Sequence, residues 1–137
     1  MEDTRITFET AKLAKEKGFK EKVIYYYHLH DDLKDPILIN EVNILLKNYK
    51  TPYEVRRDWN TISTELGYVE NFSAPTQSLL SKWLREKHNI HLIAYKNINI
   101  DGYDWCYITT DGITNINSYK TYEEAYEIGL QEALKLI

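Results

Sequence analysis

Two histidines two positions apart, His28 and His30, followed by Asp31 and Asp32, form the stretch of this chain best suited to a divalent metal. Alternate residues of a strand share a face, so both imidazoles would project the same way, with Asp32 near enough to complete a ligand set. The plainer reading is a strand end with solvated histidines. A second constellation is basic: Lys82, Arg85 and Lys87 stand close to His91, and residues 74–99 hold four bases against one acid. Such a corner can take an acidic protein or single-stranded nucleic acid, and it can equally solvate a helix and favour its C-terminal dipole. A third is aromatic: in a strand Tyr103, Trp105 and Tyr107 point one way, and Asp104, Cys106 and Ile108 the other. Exposed, that ladder is a platform for a partner; buried, it is core beneath helices. Cys106 has no local base, which describes an inert buried thiol better than a nucleophile.

Periodicity supplies the elements that would place these groups. Thr7 can cap a helix with Phe8, Ala11 and Ala14 on one face, and Gly18 can end it. Val23 to Leu29 is β-branched and aromatic, with three consecutive tyrosines, and reads as a strand. Pro36 to Leu66 reads as two helices, one opened by Pro36, although Ile37-Leu38-Ile39 also allows a strand, and one opened by Thr51-Pro52 and ended by Gly67. Ser73-Ala74-Pro75-Thr76 repeats that start signal and opens a further helix carrying Leu79, Leu80, Trp83 and Leu84, with Asn89 as its end. Ile90 to Tyr95, Tyr103 to Thr109 and Ile113 to Ile116 follow as a three-stranded meander, turning at Asp101-Gly102 and Asp111-Gly112. Thr121-Tyr122-Glu123-Glu124 is a capping box that opens the last helix. Gly129 lies on the apolar face of that helix, which points to a close approach by another element.

This order gives an α+β fold, an antiparallel sheet of three to four strands with helices packed on one face. A chain of 137 residues with no linker-like segment reads as one domain, 1–137, with a helical insertion at about 34–70. With 21 acids against 17 bases the net charge is −4, which excludes a global polycation for nucleic acid but not a local basic patch. The single cysteine and the absence of a long apolar run or leader pattern lead to the expectation of a cytoplasmic protein that does not enter a membrane. Of 18 aromatic residues 12 are tyrosine, and faces of the strands and helices absorb most of them. Tyr26, Tyr95 and the 103–107 ladder remain as candidates for a partner surface.

Three family resemblances bear on function. The His28-Leu29-His30-Asp31-Asp32 run partly resembles the His-x-His-x-Asp-His motif of metallo-β-lactamase-type hydrolases, but Leu33 stands where the last histidine should be. The helix, three-strand, helix succession resembles the double-stranded-RNA-binding domain, whose last helix is basic. Here that helix carries Glu123, Glu124, Glu127 and Glu132 against Lys135, and residues 101–137 hold seven acids and two bases, a surface that repels phosphate. Finally, Ile6 to Phe19, Ala74 to His91 and Thr121 to Ile137 together resemble small functionally uncharacterised proteins encoded by phages and prophages of gut Bacteroidetes. That match covers somewhat under half of the chain, and residues 31–70 are longer and different from the shorter linkers of that group. The resemblance implies expression from mobile DNA inside a bacterial cell and supplies neither activity nor site.

No nucleophile elbow, P-loop or dinucleotide fingerprint is present in the sequence, and no cofactor is expected. The expected function is therefore non-enzymatic: a phage- or prophage-type accessory protein that binds a host or phage macromolecule, foremost a protein. Its candidate contacts are Lys82, Arg85, Lys87, His91, Tyr103, Trp105 and Tyr107. The alternatives are a small metal-dependent hydrolase on His28, His30 and Asp32, and a nucleic-acid-binding module on the 82–91 basic corner.

Overall fold

Thr7 has extended backbone (φ −73°, ψ 166°), and its hydroxyl accepts from the Thr10 amide at 3.4 Å, which starts α1 (Phe8–Glu16). The helix stops where Gly18 takes φ +85°, a left-handed conformation that costs glycine little, and the Phe19 amide folds back onto the Ala14 carbonyl at 3.0 Å. A computed structural model describes residues 3–30, 35–40, 56–61 and 69–137. The chain divides into two compact units, Thr7–Pro75, and Met1–Ile6 with Thr76–Ile137. The first of these units lies in sequence between the two pieces of the second.

In the first unit β1 (Tyr25–His30) is the centre of an antiparallel sheet, flanked by β2 (Ile37–Asn40) and β3 (Val69–Ser73). Both faces of β1 meet aromatic neighbours. On one, Tyr27 lies opposite Phe72 in register, and the Phe8 ring of α1 meets them edge-on at 5.6 and 5.1 Å. On the other, Tyr26 stacks on Trp59 at 4.1 Å. The segment around Trp59 is tied down by polar bonds: Trp59 Nε1 donates to the Val23 carbonyl, Asn60 Nδ2 to the Phe19 carbonyl, and the Ser73 amide to Asn60 Oδ1, each at 2.8 Å.

This unit corrects the sequence reading. The helix expected from Pro36 is a strand at Ile37–Asn40, because three consecutive apolar residues offer no polar helix face but fit the edge of β1. Arg57 pairs with Val23 as an isolated antiparallel bridge, and residues 59–61 form a turn, so the second expected helix is absent there. The rest of the expected helical insertion, 41–55 and 62–68, lies outside the described residues.

The second unit follows the sequence closely. Thr76 caps α2 (Gln77–His88) by accepting from the Leu79 amide, and Asn89 ends it at φ 53°. The Arg5–Thr76 bridge and a 2.7 Å bond from the Gln77 amide to the Thr4 carbonyl bring the first residues to this unit. The meander β4 (His91–Asn97), β5 (Gly102–Thr109) and β6 (Gly112–Tyr119) forms an antiparallel sheet, so the α+β class stands with two three-stranded sheets in place of one. The capping box of Thr121 and Glu124 opens α3 (Tyr122–Leu134), which crosses β4 and β5 and also packs on α2.

Gly129 is the point of closest approach. A Cβ there would sit 2.8 Å from Leu92 Cδ1 and 3.1 Å from Cδ2 of the fully buried Trp105. Alanine at an ordinary helix position gains about 1 kcal/mol over glycine. Overpacking a filled core costs about 1–3 kcal/mol. Gly129→Ala is therefore expected to lower, not raise, the urea midpoint, and Gly129→Val to lower it further. In the first unit, Asn60→Ala leaves the Phe19 carbonyl and Ser73 amide without their partner, with an expected loss of about 1–3 kcal/mol. Faster hydrogen exchange at Ser73 checks it.

Candidate functional site

α3 seals one face of the meander and leaves the other open. Strand register puts Leu92, Ala94, Trp105 and Tyr107 on the α3 side. Trp105 is fully buried, while Tyr103 and Tyr107 are half-buried. Of the ladder's two readings, core holds for its central ring, which lies beneath α3 stacked on Tyr107 at 5.7 Å, so Trp105 is withdrawn as a partner contact. The sheet must bury one face to be stable, and the largest side chains of β5 do so.

The opposite face carries Ile93 and Tyr95 of β4, Cys106 and Ile108 of β5, and Ile113 of β6. Ile93 is 46% exposed, Tyr95 38% and Ile113 65%, while Ile108 is half-buried. Cys106 lies between Ile93 and Asn115 in register and is buried among larger neighbours. One carboxylate belongs to this side, Asp104, which accepts from Asn97 Nδ2 at 2.6 Å and from Ser118 Oγ at 3.3 Å. Beyond the strands, Ile98 and Ile100 of the β4–β5 turn are also exposed. The result is an aliphatic patch on a three-stranded sheet, bordered in register by exposed His91 and Asn115. Of the tyrosines singled out in the sequence, Tyr95 lies on this face, while Tyr26 is buried against Trp59 and is unavailable. The isoleucines on it were not singled out as a site by sequence reasoning; their alternation with Leu92 and Tyr107 was the signal that could have found them.

The basic corner is spread over two elements. Lys82, Arg85 and Lys87 are exposed on α2, where Lys82 pairs with Glu86 at 3.9 Å, and His91 is exposed at the start of β4 with Nε2 3.3 Å from Asn89 Oδ1. His28 is half-buried, and its Nδ1 hydrogen-bonds the Oδ1 of buried Asn71 at 2.9 Å. Asp32 lies outside the described residues, and β1 ends at His30. Among the described residues no cluster of three His, Cys, Asp or Glu side chains could hold a metal ion, and no helix is long and apolar enough to cross a membrane.

No protein-family model, curated protein or solved structure matches the chain.

Burial holds the Cys106 thiol above its ordinary value of 9.0. Tyr95 is raised from 10.0, by desolvation first and then by Asp104 and Cys106. Tyr126 is raised mainly by burial. In each case the folded protein favours the neutral form, so stability is whole below the ordinary value and falls as rising pH ionises the unfolded chain first. Melting temperature is expected to hold to about pH 9 and then drop, less steeply in Cys106→Val. Thiol labelling below that pH is expected to be slow in the native protein and fast in urea, as for a buried protonated thiol.

Proposed function

We propose that the chain is a non-enzymatic binding protein of the phage or prophage accessory kind, acting inside a bacterial cell. Its open meander face seats a protein partner that brings a complementary apolar surface. The observation that supports this is the two-sidedness of the sheet. One face is sealed by α3, and the other presents Ile93, Tyr95 and Ile113 to solvent on backbone that three strands hold rigid. Soluble proteins seldom leave such side chains clustered without a use for them. The resemblance to proteins of phages and prophages favours the cellular setting. The lack of phosphate-binding or nucleophilic motifs in the sequence favours binding over catalysis.

The test compares the wild-type chain with Ile93→Lys/Ile113→Lys and with Lys82→Glu/Lys87→Glu, each immobilised and exposed to a bacterial lysate, retained proteins then being titrated individually. Two buried ammonium groups at the centre of an apolar interface cost about 2 kcal/mol or more, roughly a thirtyfold loss. A stoichiometric partner is expected to lose that affinity to the isoleucine variant and to keep it with the lysine variant. Equal binding by the wild-type and isoleucine-variant chains would overturn the reading. So would loss confined to the lysine variant, which would favour the 82–91 corner, or a stoichiometric zinc or manganese content with hydrolysis that depends on His28.

A further inference from the structure

The two sheets treat their outer strands differently. In the first unit the free side of β3 is already occupied: Lys15 Nζ donates to the Asn71 carbonyl at 2.8 Å, and Asn60 Oδ1 accepts from the Ser73 amide at 2.8 Å. Side chains there take the backbone groups that a further strand would need. β6, an outer strand of the second sheet, has no such cover: among the described residues nothing outside the sheet hydrogen-bonds its backbone. It is eight residues long, and Gly112 to Asn115 and Ser118 are exposed. It holds no proline and no charged residue, two devices that keep an edge apart from other strands, whereas β4 at the opposite edge carries Lys96.

The charges stand just beyond the ends of β6. Residues 111–120 read Asp-Gly-Ile-Thr-Asn-Ile-Asn-Ser-Tyr-Lys, an acid before the strand, a base after it and no charge between. Asp111 and Lys120 are both exposed, and among the described residues neither has an ion-pair partner. Such a segment is complementary to itself run backwards. Antiparallel pairing of two copies sets Asp111 of each against Lys120 of the other, whereas parallel pairing sets like against like. The register agrees. β6 takes three steps from Ile116 to Tyr119 where β5 takes two from Trp105 to Tyr103, and the extra residue brings both ends level when a two-fold axis passes through Asn115.

We propose that β6 is an edge at which this protein pairs with a second copy of itself: two β6 strands join antiparallel, giving one sheet in the order β4-β5-β6-β6-β5-β4. The pairing consumes the same edge on both copies, so it closes at a dimer. α3 does not stand in the way, because it lies over β4 and β5 and only grazes β6. The two α3 helices of the joined sheet stand four strand spacings apart, about 19 Å, which exceeds a helix diameter of about 10–12 Å. The open sheet faces then run on into each other, with Ile113 beside the seam. The pairing rests on the backbone and end charges of the edge and not on that face, so it and the proposed partner surface stand or fall separately.

Sedimentation equilibrium across the micromolar to millimolar range tests it. The wild-type chain is expected to form dimers and nothing larger. Asp111→Lys and Lys120→Asp each place like charges at both ends and are expected to weaken the dimer about tenfold. Both changes in one chain restore opposite charges and are expected to restore the dimer. Asn115→Lys puts two ammonium groups at the axis and is expected to abolish dimers, while an equal mixture with Asn115→Asp recovers a mixed one, showing that neither variant has lost its fold. Ile93→Lys, which alters the open face but not the edge, is expected to leave the dimer unchanged. The proposal is overturned if the chain stays monomeric at millimolar concentration, or if it forms larger assemblies. It is also overturned if the end-charge variants leave a dimer intact, if their combination fails to restore it, or if Ile93→Lys dissociates it.

Discussion

The second unit depends on how closely α3 lies on the meander. A glycine at 129 lets the helix backbone rest on the Trp105 ring and the tip of Leu92, with less room than a methyl group needs. That contact seats the indole fully inside, brings Leu130, Ala133 and Leu134 into the same core, and fixes which side of the sheet is sealed. The register of three strands carries the choice outward: once Trp105 faces the helix, Cys106 and Ile108 must face away, and Ile93 and Ile113 with them. The apolar outer surface is thus the geometric complement of a tight inner one.

The two sheets solve burial differently. In the first unit aromatic rings stand against both faces of β1, Phe8 from α1 on the Tyr27 side and Trp59 on the Tyr26 side. Trp59 belongs to no helix or strand, and side-chain hydrogen bonds around it do the work that a ladder would otherwise do. In the second unit a regular helix covers one face and the other is left to solvent.

What was legible in the sequence follows from how local each signal is. Thr7 and Thr121 mark helix starts with a side chain that bonds its own first turn, and both act as read, as do the helix ends at Gly18 and Asn89; the start signal at 73–76 resolves to Thr76 as the cap, with Pro75 just outside the helix. The meander and the crowding at Gly129 were equally readable, from turn residues and from a glycine on an apolar stripe. Residues 37–40 and 56–61 were misread because their structure is set from a distance. Ile37-Leu38-Ile39 becomes a strand only because Tyr25–His28 offers an edge, and the Trp59 segment is held by carbonyls and an amide from residues 19, 23 and 73. The sites show the same divide. The sequence could list the tyrosines and isoleucines, but which stood inside and which outside followed only from the side of the sheet that α3 occupies.

The bridge between Arg5 and Thr76, with Thr4 held by the Gln77 amide, makes the first unit a closed loop within the second. Joining those ends costs loop-closure entropy that grows with the length of disordered chain between them. Once Thr7–Pro75 has condensed, its ends are no longer far apart in conformational space, and the joint forms against a much smaller penalty. The Arg5–Thr76 joint thus closes a loop whose entropic cost depends less on its roughly 70 residues than on how compactly they fold.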